Sequence, residues 1–309
     1  MTGDHPILEV KNLSVRFSRY ERGLRQVDLQ VINGLNVSVG RSELVAVVGS
    51  SGSGKSLLAH ALLGLLPGNC GASGDLYFDG APLDADRIKA LRGREIVLVP
   101  QSVTYLDPLE KVGAQVRRER NDLETVRRQE ELFDFYALRR ETAGLYPFEL
   151  SGGMARRVLL SAAMMETPRL IIADEPTPGL HLSAAKKAMA HFRDFADAGN
   201  GVLLITHDLE LALEVADKIA VFYAGTTVEV AGVSDFQSVD SLRHPYTKAL
   251  WRALPQNGFQ SFPGNQPCAG EILEGCPFGP RCDSCTAECL HDIPTRELRG
   301  GLVRCLHAA

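Results

Sequence analysis

The sequence predicts an α/β fold with a mainly parallel central sheet, and three observations support that class. Apolar runs of four or five residues recur through the first 230 residues, as is typical of parallel strands buried on both faces. Helical patterns separate the runs, as in repeated βαβ units. A glycine-rich turn directly follows the first run, where such folds bind phosphate. The runs cover residues 44–48, 96–99, 170–173, 202–205 and 219–222.

The composition limits the classes of protein that this chain can represent. Its 309 residues are 45% hydrophobic and 23% charged, which is ordinary for a protein that buries a sizeable core. A net charge of -5 argues against binding to the nucleic-acid backbone, since such proteins carry a basic excess. No apolar run approaches the roughly 18 residues that span a bilayer, and residues 1–10 do not resemble a signal peptide. We expect neither a membrane-spanning nor a secreted or disordered protein.

The remaining elements follow from the periodicity of the side chains. Residues 7–17 and 27–39 alternate polar and apolar residues, which predicts two half-exposed antiparallel strands. Residues 116–140 are charged, with apolar residues at roughly helical spacing, and are predicted to be a helical insertion into the α/β core. After Gly225 the periodicity weakens, and beyond Pro255 the sequence predicts a loop held by cysteines.

The turn after the first apolar run has the pattern of a phosphate-binding loop. Its sequence, GSSGSGKS, fits G-x-x-x-x-G-K-[ST] and lies between an apolar strand and a helical pattern, the context that supports the motif. Glycines let backbone N–H groups surround the phosphates, and the helix N-terminus adds a favourable dipole. Lys55 is predicted to reach the β- and γ-phosphates, and the Ser56 hydroxyl to bind Mg²⁺. The predicted phosphate-binding residues are Gly49, Ser50, Ser51, Gly52, Ser53, Gly54, Lys55 and Ser56.

Two later segments supply the other groups that nucleotide hydrolysis needs. The buried strand LIIAD ends in Asp174, which would place a carboxylate beside Mg²⁺, and Glu175 would then polarise the attacking water. The segment LSGGM precedes a helical run, so Ser151 and the amides of Gly152 and Gly153 form either a second phosphate-binding helix start or an ordinary helix cap. The order of the segments along the chain favours the first interpretation.

The series of phosphate loop, Gln101, LSGGM, LIIADE and His207 resembles the ATP-binding subunits of ABC transporters over almost the whole chain. The resemblance implies that two such domains pair head to tail, with each ATP between the phosphate loop of one and the LSGGM segment of the other. It implies that Gln101 senses Mg²⁺ and the permease. Glu175 would be the general base or position the water, and His207 would be a switch histidine near the γ-phosphate. Ser56, Gln101 and Asp174 would bind Mg²⁺.

The aromatic residue that the family places against adenine is Phe17 here, with Tyr20 as the alternative and a core position as a third possibility for Phe17. One loop departs from the family's pattern. Most relatives read Ser-Ala-Leu-Asp in the loop that crosses the dimer interface, and this chain reads PGLH at residues 178–181. We therefore expect a heterodimer in which one of the two composite sites hydrolyses slowly. Residues 155–157 read ARR where relatives often have Arg-Gln-Arg, a change that we expect to be tolerated.

The end of the sequence resembles the C-terminal extension of the oligopeptide, dipeptide and nickel importer branch, on the segments HPYTKAL and CPFGPRC. That resemblance implies a [4Fe–4S] cluster bound by Cys276, Cys282, Cys289 and Cys305, and four thiolates suit such a cluster. Structural zinc is the main competitor, and free thiols or a disulfide are the remaining alternatives. Cys268 and Cys285 are left over, and Cys70 is expected to be an incidental loop thiol.

The resemblance also implies an organisation and a set of partners. We expect an ABC nucleotide-binding domain over residues 1–235, a helical subdomain at about 102–168 and a cysteine-rich extension over 236–309. ATP and Mg²⁺ would be the cofactors, and the partners would be a second ABC ATPase, two permease subunits and an extracytoplasmic substrate-binding protein, at the cytoplasmic face of the membrane. The cargo is expected to be oligopeptides or dipeptides, with nickel or a metal chelate as the alternative. A more remote alternative is a soluble ABC ATPase that acts on nucleic acid or ribosomes.

Overall fold

In the computed structural model, which describes residues 5–20, 25–50, 52–267 and 275–308, the strands form two sheets. The strands are β1 (Leu8–Tyr20), β2 (Gln26–Val39), β3 (Glu43–Gly49), β4 (Cys70–Phe78), β5 (Ala81–Pro82), β6 (Ile96–Val99), β7 (Leu170–Asp174), β8 (Gly201–Thr206), β9 (Lys218–Tyr223), β10 (Thr226–Gly232), β11 (Arg296–Leu298) and β12 (Gly301–Val303). The helices are α1 (Lys55–Leu62), α2 (Ala85–Leu91), α3 (Val112–Arg117), α4 (Leu123–Phe135), α5 (Gly152–Ala163), α6 (Leu182–Asp197), α7 (Leu209–Val215) and α8 (Pro245–Arg252). Within these ranges, none of the helices has the length and apolarity to span a bilayer.

The larger sheet has the strand order β11-β12-β10-β9-β3-β8-β7-β6. Its five strands from β9 to β6 are parallel, so the prediction of parallel strands from the apolar runs is confirmed. Strand β3 shows why these runs are uninterrupted. Leu44, Ala46 and Val48 belong to the apolar cluster on one face of the sheet, and Val45 and Val47 belong to the cluster on the other face. Because both faces are covered, every position from Leu44 to Val48 is apolar.

The smaller sheet is antiparallel, in the order β2-β1-β4-β5. The pairing of β1 with β2 confirms the strands predicted from the alternating segments. Their inward-facing residues, such as Val15 and Leu35, pack with α1 and one face of the larger sheet. This sheet therefore covers α1, the helix that starts at Lys55 at the end of the phosphate loop.

The helical insertion is confirmed, but as separate short helices. Helix α3 ends at Arg117, and the next residue, Arg118, caps it in a left-handed conformation with φ of 51°. Helix α4 begins after Asp122, whose carboxylate accepts a hydrogen bond of 2.9 Å from the Thr125 N–H. Leu132 and Phe133 of α4 are buried in the same cluster as α5. The predicted stretch is thus broken where local capping competes with continuation of the helix.

The prediction that the chain beyond Pro255 is only a loop is wrong. Residues 296–303 form the hairpin of β11 and β12, and β12 pairs with β10 at the edge of the larger sheet. Arg243, 1% exposed, fastens this hairpin through hydrogen bonds of 2.6 Å to the carbonyls of Leu298 and Arg299. Its guanidinium also lies 3.2 Å from the buried Glu229 carboxylate. These contacts are long-range, so three-residue strands form without a local periodic signal.

Candidate functional site

The sheet brings several predicted site residues to one edge. Strand β3 ends at Gly49, β7 at Asp174 and β8 at Thr206. The parallel register places Val48 beside Thr206 and Asp174 beside Ile205, so the residues after these positions emerge together. Ligand sites of parallel sheets lie at the carboxyl ends of the strands for this reason.

A cleft of about 630 Å³ opens at this edge. The predicted site residues that line it are Gly52, Gly54, Lys55, Ser56, Gln101, Glu175 and His207. The sequence did not predict that Val31, Leu57 and Pro178 would also line it. A single space is therefore shared by the phosphate loop, the glutamine after β6, the acid after β7 and the histidine after β8.

The backbone of the phosphate loop depends on glycine at particular positions. Gly52 and Gly54 have φ values of 78° and 95°, in the left-handed region that other residues rarely adopt. A Cβ atom at Gly49 would lie 2.4 Å from the Phe222 carbonyl oxygen of the adjacent strand β9. Ser51 lies outside the described residues. The glycines thus allow the loop to curl tightly against the sheet.

Lys55 is buried at the start of α1 and contacts its own loop. Its Nζ donates hydrogen bonds of 2.8 Å to the Gly49 carbonyl and 2.9 Å to the Ser50 carbonyl. Burial lowers the pKa of Lys55, while the negative charges of Glu175 and Asp174 act in the opposite direction. The ammonium is therefore held close to two carboxylates, at the position where a phosphate would meet it.

Asp174 does not itself line the cleft, but it contacts Ser56, which does. The Ser56 hydroxyl donates to Asp174 Oδ1 over 3.1 Å, and Asp174 is only 2% exposed. Burial raises the pKa of Asp174, and the neighbouring charge of Glu175 adds to this effect. The Asp174 carboxylate and the Ser56 hydroxyl are oxygen donors of the kind that Mg²⁺ prefers, and Gln101, which lines the cleft, carries a further amide oxygen.

Glu175 is oriented by its backbone and by His207. Its φ is 46°, which is uncommon for a residue other than glycine, and its N–H donates a 2.8 Å hydrogen bond to the Ile205 carbonyl of β8. His207 Nδ1 lies 2.9 and 2.8 Å from the two carboxylate oxygens of Glu175. The carboxylate is nearly buried, while the histidine side chain is 62% exposed at the mouth of the cleft.

The LSGGM segment lies away from the cleft of its own chain. Ser151 caps α5 by accepting a hydrogen bond of 3.3 Å from the Met154 N–H, and Ser151 and Gly152 are exposed. A Cβ atom at Gly153 would lie 3.2 Å from the Gly179 carbonyl, so the unusual PGLH loop packs beside this segment. An exposed helix start of this kind is free to meet another surface.

Arg156 has a structural role that the sequence analysis missed. It is 6% exposed, and its guanidinium donates to the Pro100 carbonyl over 2.7 Å and to the Gln101 carbonyl. Helix α5 thereby holds the backbone of the glutamine that lines the cleft. The signal in the sequence is an arginine within the mostly apolar helical run that follows LSGGM. In the sequence analysis, residues 155–157 are treated only as a tolerated departure from the family's pattern.

The structure does not bring the predicted adenine contact into the cleft. Phe17 is half-buried and packs against the apolar cluster beneath the smaller sheet, and Tyr20 is 71% exposed. Among the described residues, Val31 of β2 is the side chain from this sheet that lines the cleft.

The four cysteines predicted to bind a cluster line one small cavity, together with Cys285 and the buried His244. Burial raises the pKa of Cys276 to about 11 and also raises the pKa of Cys305. All six described cysteines are free, and Cys268 lies outside the described residues. Among the described side chains, no group of three or more His, Cys, Asp or Glu is arranged to hold a metal ion. The thiols therefore share a cavity without forming a ready metal site.

Comparisons with known proteins support the interpretation of the cleft as a nucleotide site. A family model described as "ABC transporter" matches residues 32–178, and one described as "Oligopeptide/dipeptide transporter, C-terminal region" matches residues 228–289. The chain is 33% identical to the oligopeptide transport ATP-binding protein OppD of Escherichia coli, over 96% of this chain and 92% of that protein. It is 31% identical to the probable D,D-dipeptide transport ATP-binding protein DdpD of the same species, over 92% of this chain and 90% of that protein. A solved dimeric cassette in a post-hydrolysis state, bound to ADP and Pi, is similar with a TM-score of 0.63 and 25% identity, over 73% of this chain and 98% of the other.

Proposed function

The chain belongs to the ATP-binding subunits of ABC transporters, in the oligopeptide and dipeptide branch, and from that membership we propose that it hydrolyses ATP to drive peptide uptake through separate permease subunits. The observation that carries this proposal is the single cleft lined by Lys55, Gln101, Glu175 and His207. Each of these residues comes from a different segment of the chain, and each has a type suited to phosphoryl transfer.

We propose a role for each of these side chains. The loop N–H groups bind the phosphates, and Lys55 exchanges its two carbonyl partners for phosphate oxygens. Ser56, Gln101 and Asp174 would hold Mg²⁺, which would neutralise charge on the phosphates. Glu175 accepts the proton of the attacking water, with His207 holding the carboxylate in place. Attack of that water on the γ-phosphorus breaks the bond to the bridging oxygen and releases ADP and phosphate.

The first experiment is nucleotide binding and turnover in a Lys55→Ala variant, with Lys89→Ala as a matched control on the exposed side of α2. We expect Lys55→Ala to lose MgATP binding and hydrolysis and Lys89→Ala to keep both. Equal binding by the two variants would refute the assignment of the cleft.

The partners follow from the same membership. We propose that the exposed Ser151, Gly152 and Gly153 complete the ATP site of a second ABC ATPase, and that two permease subunits hold the pair at the cytoplasmic face of the membrane. The PGLH loop beside this segment supports a heterodimer in which one composite site is slow. With Glu175→Gln in this chain and a wild-type partner, turnover should differ from that of the reciprocal pair, and equal turnover would contradict the asymmetry.

The cargo that we propose is a peptide, because the relatives that the chain matches are named for oligopeptide and dipeptide transport. The discriminating measurement is ATP hydrolysis by the reconstituted transporter with its substrate-binding protein. Stimulation by short peptides supports this assignment. Stimulation by Ni²⁺ or a nickel chelate alone would replace it, and co-purification with nucleic acid rather than membranes would favour the remote alternative.

A [4Fe–4S] cluster bound by Cys276, Cys282, Cys289 and Cys305 is the cofactor that we propose for the extension. Its support is the shared cavity and the thiol donor set. The cysteine side chains would have to reorient, and the thiols to lose their protons, on binding. Iron and acid-labile sulfide in anaerobically purified protein test this: about four of each per chain are expected, and zinc or no metal would refute it.

A further inference from the structure

A second cavity, of about 540 Å³, lies in the C-terminal extension, between α8 and the segments 260–263 and 278–284. None of the described residues that line it also lines the nucleotide cleft. Its volume is within the range of roughly 300–1,000 Å³ that is usual for small-molecule sites. The cationic residues of its lining are Arg243, Lys248, Arg252 and Arg281, and among the described residues Asp283 is the acidic one. This concentration of positive charge contrasts with the net charge of -5 of the whole chain.

The fold neutralises one of these cations and leaves the others without a counter-charge. Arg243 lies 3.2 Å from the carboxylate of Glu229 and 2.9 Å from that of Asp235. Lys248, Arg252 and Arg281 form no ion pair within the part of the chain that the structure describes. Three unpaired cations and one carboxylate leave an excess of two positive charges around the cavity.

Arg281 is oriented by neutral groups, so that its position is fixed while its charge is retained. Its Nε donates a hydrogen bond of 2.8 Å to the Pro263 carbonyl, Nη2 donates over 3.3 Å to the Phe262 carbonyl, and Nη1 lies 3.1 Å from the Tyr223 hydroxyl. The guanidinium also stacks on the ring of Phe262, 4.4 Å from its centroid. A guanidinium carries five N–H groups, so two remain for a ligand.

Lys248 and Arg252 are four residues apart on α8 and therefore project from the same face of the helix. Like charges at this spacing repel each other, and an anion that contacts both removes the repulsion. The planar guanidinium matches the geometry of phosphate oxygens, and the ammonium supplies a compact charge beside it. The pair is suited to an anion with more than one charged oxygen.

We propose that this cavity binds a small phosphate-bearing anion through Lys248, Arg252 and Arg281. A phosphate group carries up to two negative charges on adjacent oxygens, which matches the excess of positive charge in the lining. The apolar residues Ala249 and Phe278 also line the cavity and would contact an organic part of a phosphate ester. The site is separate from the nucleotide cleft and does not depend on its proposed function.

The test is calorimetric titration of the full chain with inorganic pyrophosphate. The parent protein carries Lys55→Ala, so that the phosphate loop contributes as little as possible to the titration. We expect saturable binding, which Lys248→Gln and Arg252→Gln should each weaken by about tenfold, the effect of one lost hydrogen bond to a charged group. Lys89→Gln is the matched control, since it removes the same charge from an exposed position on α2, outside this cavity. It should change the affinity less than twofold.

Titrations with adenosine monophosphate and with inorganic phosphate identify the source of the anion. Tighter binding of the ester supports an organic phosphate, and equal binding supports an inorganic one. Absence of pyrophosphate binding, or equal affinities of Lys248→Gln, Arg252→Gln and Lys89→Gln, would overturn the proposal.

Iron analysis of the same variants tests a competing role for the cations. The neighbouring cysteine cavity shares Pro245 and His307 with this one, and a thiolate-bound cluster there would be anionic. If the cations serve that cluster, Lys248→Gln and Arg252→Gln should lose iron while keeping the pyrophosphate affinity of their parent. That result would overturn the anion site, whereas unchanged iron content with weakened pyrophosphate binding supports it.

Discussion

His207 Nδ1 lies within 2.9 Å of both carboxylate oxygens of Glu175, so a single nitrogen fixes the orientation of the whole carboxylate. Glu175 is nearly buried and His207 is largely exposed, which places the histidine between the carboxylate and the mouth of the cleft. A group that binds at the mouth can therefore move the carboxylate by moving the histidine.

Glu175→Gln should remove hydrolysis and keep ATP binding. An amide of the same shape cannot accept the proton of the attacking water, so we expect turnover to fall by about 10²- to 10⁴-fold. Single-turnover hydrolysis and calorimetric binding of MgATP check the two parts separately. His207→Ala should lower turnover by a smaller factor, because the carboxylate is still present. A Glu175→Gln variant with near-normal turnover would show that another group accepts the proton.

Arg156→Met should destabilise the protein by roughly 1–3 kcal/mol, because the Pro100 and Gln101 carbonyls lose a buried donor. Urea denaturation measures this change, and the accompanying loss of order at Gln101 should weaken Mg²⁺-dependent ATP binding. Arg127→Met is the control, since the Arg127 side chain is 82% exposed and its pairing with Glu131 contributes little. Equal midpoints for the two variants would contradict the role of Arg156.

His181→Asp should stabilise α6. His181 is the N-cap of this helix but makes no side-chain hydrogen bond to it, whereas an aspartate there accepts from the first-turn N–H groups and complements the dipole. We expect a gain of about 0.5–1 kcal/mol in the free energy of unfolding. The same variant restores the aspartate found in most relatives, so faster turnover at the partner's site would show that the PGLH loop slows it. A stability no higher than that of the unaltered chain would contradict the capping argument.

The contact between Tyr136 and His191 should make stability depend on pH. Tyr136 Oη lies 2.6 Å from His191 Nδ1, and burial, with the charges of Arg128 and Lys187, lowers the pKa of His191, while Asp194 opposes the shift. In the unfolded chain the pKa of a histidine is about 6.5. Below that pH the unfolded chain binds the proton more readily than the folded one, so stability is lost as the pH falls.

His191→Gln removes this titration and keeps an acceptor for the tyrosine. The free energy of unfolding from urea titrations should therefore fall less between neutral and mildly acidic pH in His191→Gln than in the unaltered chain. Parallel pH profiles for the two proteins would contradict the assignment.

The parts of the molecule that the sequence predicted are those with local or periodic signals. The parallel strands were visible because burial on both faces excludes polar residues, and the phosphate loop because its glycines and Lys55 act within one turn. Glu175 and His207 were found because they follow such strands directly. Their mutual hydrogen bond depends on the parallel register of β7 and β8, which cannot be read from the sequence.

The contacts that the sequence could not predict join distant segments. Gln266 meets Ser50 across about 200 residues, Arg156 reaches back to Gln101, and β12 pairs with β10 through three-residue strands. Each depends on the assembled sheet rather than on neighbours in the chain. Phe17 packs against the core cluster, which fits the core position that was the alternative to the adenine contact implied by the family resemblance.

The central place of β3 in the sheet has a consequence for how the protein is made. Both hydrogen-bonded neighbours of β3 are later in the chain, β8 at residues 201–206 and β9 at residues 218–223. During translation the phosphate loop is therefore produced early, but the strand that carries it has no sheet partner until about two-thirds of the chain has been synthesised. Such late closure favours slow folding and prolonged exposure of apolar strands. Nascent chains halted before β8 should fail to retain ATP, and this protein should rely on chaperones throughout most of its synthesis.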